Sequence, residues 1–316
     1  MNKAKYLLLS AMLLIPGTAF AQDCERGELD SRYCDADGDM LADVPTNADD
    51  LLDPSTLVFT YAPTEDPAVY QDAFGEFLDY LSEMTGKDVV YFPVNSYAAQ
   101  IEAMRAGRLH VSGFAAGAVQ EAVNTAGFHP RAIMADDDGV YGYTMQVIVQ
   151  PGSDIESLED LEGRQLAFVG PTSNSGYKAP AALLYSMLNL LPDVDYQTAF
   201  SGGHDNSILG VVNGDYEAAA IASSVMQRMI DRDVLSADDV RIIYDSQSFP
   251  ATAYGYVYNL EPSLAEAVAE AFLTFDWAGT ALIAEFSDVS QWIAIDYQTD
   301  WEVLRDIAAA SAALED

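Results

Sequence analysis

Gln165-Leu166-Ala167-Phe168-Val169-Gly170-Pro171-Thr172-Ser173-Asn174-Ser175-Gly176-Tyr177 is the stretch on which the fold turns. Gln165 to Val169 is a short apolar run between Gly163 and Gly170, the length and flanks of a buried strand. From about Tyr177, the residues Ala181, Leu183, Leu184 and Met187 predict an apolar helix. A strand that passes straight into a helix is the unit of α/β folds, in which mostly parallel sheets carry helices on both faces.

The same order recurs outward from this stretch. Leu57 to Tyr61 predicts a buried strand, and Asp66-Pro67 supplies an N-cap and a first-turn proline. Val69, Phe74, Phe77, Leu78 and Leu81 fall at helical spacing, and Gly86 ends that helix before a strand from Asp88 to Phe92. Tyr97 to Phe114 runs helix, Ala106-Gly107, strand, and Asp205 to Ile221 repeats it through Asn213-Gly214. The roughly 295 residues left after an N-terminal signal exceed the usual size of a single core, so two α/β domains are expected. Two strand-like stretches, Tyr143 to Gln150 and Thr252 to Asn259, are expected to cross between them as a two-stranded hinge. This divides the chain into 56–146 plus 252–316 and 147–251. Helices from Glu261 to Phe286 and from Trp301 to Ala313 are expected to return to the first domain.

At the N-terminus, Asn2, Lys3 and Lys5 precede an apolar run from Tyr6 to Ile15 and then Ala19-Phe20-Ala21. This reads as a cleavable signal over residues 1–21 and places the protein outside the cytoplasm, in the periplasm. The apolar run is too short to span a bilayer, which takes about 20 helical residues. Residues 22–55 form an acidic extension whose two cysteines, Cys24 and Cys34, are expected to pair in an oxidising compartment. Within it, Asp35-Ala36-Asp37-Gly38-Asp39-Met40-Leu41-Ala42-Asp43 alternates carboxylates like a calcium loop and resembles a thrombospondin type 3 repeat. Met40 stands where such loops want glycine and no glutamate sits at the twelfth position, so the expectation is a solvated acidic tail without metal.

Charge excludes one class of partner. With 50 acidic against 14 basic residues and a net charge of -36, the chain lacks the basic footprint that nucleic acid demands. The same charge repels anions at long range, so capture of an anion must rest on short-range, desolvated hydrogen bonds. The turn from Gly170 to Gly176 offers them. A helix start carries about four unpaired N–H groups and a partial positive charge, and it needs no Lys or Arg to hold an oxyanion. An ordinary N-cap is the alternative, yet it needs one Ser or Thr where Thr172, Ser173 and Ser175 gather around Asn174. Ser201-Gly202-Gly203-His204-Asp205-Asn206-Ser207 is a second small turn running into a helix. There His204 could donate to an anion in its charged form, or stand exposed behind an Asp205 N-cap. Tyr61, Tyr97 and Tyr143, among 18 tyrosines, fall at junctions where a hydroxyl on a rigid ring can reach a ligand.

On these residues the sequence resembles the PhnD-like phosphonate, phosphite and phosphate-binding proteins of ABC importers, over about residues 56 to 290. The resemblance rests on Pro171-Thr172-Ser173-Asn174-Ser175-Gly176-Tyr177-Lys178-Ala179-Pro180, on Ser96-Tyr97-Ala98 followed by Ile101 to Gly107, and on Gly203-His204-Asp205-Asn206. It implies a type II periplasmic-binding fold that closes two α/β domains on a small phosphorus oxyanion. It places the family's anion cradle on Ser173, Asn174 and Ser175, its histidine on His204, and its pocket tyrosines on Tyr97 and Tyr143. The two acidic residues that hold an ammonium in some members fall on Ser224 and Thr252, which disfavours an aminoalkyl phosphonate. The implied partners are a membrane permease with its ATPase; a monomer without cofactor is expected. A sensor subunit for the same anions is the alternative. A hydrolase is not supported, because adjacent His204 and Asp205 cannot orient each other as a triad requires and no Gly-x-Ser-x-Gly elbow is present.

Overall fold

The computed structural model describes residues 24–314, and the expected signal at 1–21 lies outside them. The first half runs β1 (Thr56–Tyr61), α1 (Ala68–Ala73), α2 (Gly75–Thr85), β2 (Asp88–Tyr91), α3 (Tyr97–Arg105), β3 (Val111–Phe114), α4 (Val119–Ala126) and β4 (Phe128–Ala135). The second runs β5 (Tyr143–Val149), β6 (Gln165–Phe168), α5 (Ala179–Leu188), β7 (Gln197–Phe200), α6 (His204–Asn213), β8 (Ala218–Ala222), α7 (Ser223–Asp231) and β9 (Arg241–Phe249). The chain then returns through β10 (Ala253–Val257), α8 (Pro262–Thr274), α9 (Ala281–Glu285), β11 (Gln291–Ala294), α10 (Tyr297–Asp300) and α11 (Glu302–Ala312). The single helix expected after Asp66-Pro67 is two, parted at Phe74, whose buried ring packs against Phe59, Tyr61, Tyr254 and Phe286. Gly86 closes α2 in the left-handed conformation, at φ +66°.

Two sheets result, ordered β11-β4-β10-β3-β1-β2 and β7-β6-β8-β5-β9. Strands joined by helical crossovers pair in parallel, as β1 does with β2 and β3, and β6 with β7 and β8. The other pairings are antiparallel, which corrects the expectation of mostly parallel sheets. The reason is connectivity. β5 and β10, which make four of these five antiparallel pairings, each enter a sheet from the other half of the molecule, not over a right-handed helical crossover.

The stretches expected to cross are therefore interior strands, one in each sheet. The chain itself crosses at residues 136–142 and 250–252, and the pairing of Tyr143 with Phe249 sets the two crossings side by side. The expected boundary after residue 146 falls inside β5. A second correction concerns α11, which packs against α5 of the second half as well as the turn ahead of it. Trp301, at its start, is fully buried and donates from Nε1 to the Ala116 carbonyl at 3.2 Å. The acidic extension is no solvated tail either. Cys24 and Cys34 are bonded, and Leu29, Tyr33, Leu41 and Ala42 join the main core, with Tyr33 edge-on to Tyr258 at 4.9 Å.

Candidate ligand-binding site

A cavity of about 80 Å³ lies between the two sheets. The seven residues expected at the site all line it: Tyr61, Tyr97, Tyr143, Ser173, Asn174, Ser175 and His204. Its size is several times what one water needs and far below the roughly 300 Å³ or more of drug-sized ligand pockets.

The cradle forms because β6 ends one residue before Val169 and the chain then winds directly into a helix. That helix begins at Asn174, earlier than the expected Tyr177, as a wide π-type turn over Asn174–Lys178 that leads into α5. Ser173 caps it, its Oγ accepting the Gly176 N–H at 3.1 Å, while the Lys178 N–H reaches the Ser173 carbonyl at 3.0 Å. Gly176 is required, since a Cβ there would stand 2.6 Å from Val169 Cβ. Asn174 and Ser175 occupy the first positions of the turn, where N–H groups have no intrahelical acceptor. The Asn174 amide donates to the Tyr143 hydroxyl at 3.1 Å, joining cradle to β5.

Tyr97 opens α3, behind a Ser96 side chain that accepts the Ala99 N–H. Among the described residues its buried hydroxyl has no hydrogen-bond partner, and burial pushes its pKa far up, so it is a neutral donor. Tyr61, at the end of β1, is held among the rings of Tyr70, Phe74 and Phe286.

His204 departs from both sequence readings. It is the first residue of α6 behind Gly203, it is buried, and Asp205 does not cap the helix. Its Nδ1 accepts the Ala222 N–H at 3.0 Å, which assigns the ring proton to Nε2. Burial, then the charge of Arg228, push its pKa down to about 3, so it is a neutral donor and not the charged one expected.

Residues 59–301 match the family described as ABC transporter, phosphonate, periplasmic substrate-binding protein. The chain belongs to this family. Among its relatives, the phosphate-import protein PhnD of Mycolicibacterium smegmatis is 28% identical over 221 residues, 67% of this chain and 69% of that one. The phosphonates-binding periplasmic protein of Escherichia coli is 23% identical over 223 residues, covering 69% and 66% respectively. Two solved structures share the fold. The binding component of a Pseudomonas aeruginosa ABC phosphonate transporter superposes with a TM-score of 0.75 at 22% identity, over 83% of this chain and 88% of that one. PhnD1 of Prochlorococcus marinus, in complex with methylphosphonate, gives 0.71 at 18%, over 81% and 98%. The fold is thus the type II periplasmic-binding architecture, and members of the family bind solutes for transport and are not enzymes.

In this phosphonate-family protein the cavity wall beyond the cradle is built from α7. Ser224 and Arg228, one turn apart, both line it, with Thr252 from the return crossing. Sequence reasoning missed Arg228, although an arginine on the same helix face as Val225 and Met229 was a signal for a buried, paired charge. It is 6% exposed. Its Nε donates to Glu65 Oε1 and its Nη2 to the Tyr70 hydroxyl, each at 3.2 Å, while Nη1 makes no hydrogen bond among the described residues. Glu65 also pairs with Arg232, which reaches Glu285 at 3.2 Å. Neither Glu65 nor Asp205 lines the cavity. This ion cluster joins α7 of the second half to the β1–α1 loop and α9 of the first. On the opposite side Lys178 Nζ donates to the Gly117 carbonyl at 2.8 Å, and a Cβ on Gly117 would lie 2.4 Å from the Asn174 nitrogen. The halves meet on both sides of the cavity.

Proposed function

We propose that this protein captures a small phosphorus oxyanion with a compact substituent, namely phosphate, phosphite or a short uncharged phosphonate, and hands it to its permease. The observation that carries the reading is the set of donors left open on one small cavity: the buried Tyr97 hydroxyl, His204 Nε2–H, the Asn174–Ser175 helix start and Arg228 Nη1. Each suits the acceptor oxygens of an oxyanion. Ser173, Asn174, Ser175 and His204 take its oxygens, and Tyr61, Tyr97 and Tyr143 close the other side. The two lobes, parted at the crossings 136–142 and 250–252, close around it. The protein works as a monomer in the periplasm, after loss of residues 1–21.

The substituent end disfavours an ammonium. Ser224 and Thr252 carry no charge, Arg228 adds a positive one, and the carboxylate among the lining residues, Asp288, is exposed at the rim. A phosphate importer and a methylphosphonate complex among the similar proteins agree with a compact ligand.

A thermal-shift screen against phosphate, phosphite, methylphosphonate, aminoethylphosphonate and sulfate tests this. A ligand at 100 times its dissociation constant adds about 2.7 kcal/mol and raises the midpoint. A compact phosphorus oxyanion should do so, with sulfate and aminoethylphosphonate far behind. Sulfate equal to the best ligand would overturn the phosphorus reading, and aminoethylphosphonate as winner would overturn the reading of the α7 wall.

A further inference from the structure

The folded extension has a knot of carboxylates at its centre, remote in sequence from the ligand cavity. Asp35, Asp37 and Asp39 each bring an oxygen within 4.8 Å of the other two. Asp37 and Asp39 are exposed, and exposed acidic groups on a chain of net charge -36 mean little by themselves. Asp35 is different. It is 8% exposed, and among the described residues its buried Oδ1 has no hydrogen-bond partner. A carboxylate oxygen withdrawn from water and set beside two further carboxylates raises the energy of the folded chain unless a cation answers it.

The second oxygens are already committed. Asp35 Oδ2 accepts the Met40 N–H at 3.1 Å, Asp37 Oδ1 the Asp39 N–H at 3.3 Å, and Asp39 Oδ1 the Leu41 N–H at 2.8 Å. Among the described residues each carboxylate thus keeps one oxygen uncommitted. Met40, which argued against a metal as a sequence, adopts the left-handed backbone that the loop needs, at φ +67°. The departure from glycine costs some strain and leaves the path of the chain intact.

We propose that Asp35, Asp37 and Asp39 hold a calcium ion. The donors are hard oxygens, which exclude metals that prefer nitrogen or sulfur, and three of them gathered without an octahedral frame suit the irregular shell that calcium accepts and magnesium resists. Water and main-chain carbonyls complete the shell. Without a bidentate glutamate the site is weak, in the class of extracellular modules with dissociation constants of about 0.1 to 1 mM. The loop is tied to the first half, since Gln298 donates to the Gly38 carbonyl at 2.6 Å and the buried His129 ring bonds the Ala42 carbonyl at 2.8 Å. Calcium therefore braces the extension against β4 and α10, and it acts on stability without touching ligand affinity.

Chelator-treated protein, titrated with calcium chloride in about 0.15 M salt to screen diffuse attraction, tests the site by thermal unfolding and calorimetric titration. At about 10 mM calcium the midpoint should rise by at least about 2 °C, with a single-site isotherm. Magnesium at the same concentration should do much less. The Asp37→Asn/Asp39→Asn variant alters only exposed side chains, so its chelated midpoint should equal or exceed that of the parent, and it should ignore calcium. No rise and no heat in the parent would overturn the proposal, as would an equal response to magnesium or a rise that survives in the variant.

Discussion

At the scale of single residues, burial decides what each polar group is for. Gly203-His204-Asp205-Asn206 led to the expectation of His204 at the site, and it lines the cavity, but its protonation state was not legible, because it depends on Arg228 and Ala222, which only the fold brings near. The consequence is a pH dependence with a definite sign. Burial holds the pKa of His204 down to about 3 and that of His129 to about 4, while both titrate near 6.5 in the unfolded chain. Between those values the unfolded chain binds more protons, so stability that is complete above about pH 6.5 is lost as the pH falls. At pH 5 each histidine costs about 2 kcal/mol, an order-of-magnitude figure. Urea denaturation at pH 7 and pH 5 should show the loss, and a His204→Gln variant should show a smaller one. An unchanged slope in that variant would assign the effect elsewhere.

Among the elements, the π-type turn at Asn174–Lys178 and the short helical turn at Ala116–Ala118 face each other across the cleft. The first was readable as a donor-rich helix start. The second left no trace in the sequence, since Ala115-Ala116-Gly117-Ala118 looks like ordinary apolar filler. Yet an added Cβ on Gly117 would lie 2.4 Å from the Asn174 nitrogen and 2.5 Å from the Thr172 carbonyl oxygen, both main-chain atoms that cannot step aside. Gly117→Ala should leave each half folded and prevent the two from meeting. Ligand affinity should drop at least about 100-fold, the loss of some 3 kcal/mol of closure contacts, with far-ultraviolet dichroism unchanged. Calorimetric titration checks this, and undiminished affinity would show that closure does not need the approach.

For the whole molecule, the net charge of -36 opposes the capture of an anion, and the open donors on the cavity oppose the charge. The two act over different distances, so they separate in kinetics. Salt screens the surface repulsion within a Debye length, about 30 Å at 0.01 M and 8 Å at 0.15 M, and leaves the buried donors largely unscreened. Raising the ionic strength across that range should speed ligand association several-fold with little change in dissociation, the reverse of ordinary steering. Stopped-flow binding at matched pH measures it, and association that slows with salt would refute the account. Local patterns in the sequence determined the α/β elements, the donor-rich helix start and the disulfide pair, because each is written in residues a few positions apart. The tertiary structure alone decided the antiparallel returns of β5 and β10, the seat of α11 on both halves, the neutrality of His204, the arrival of Arg228 at the cavity and the burial of Asp35. Each of these depends on groups distant along the chain that meet only when the two halves pack, and on the water that packing removes.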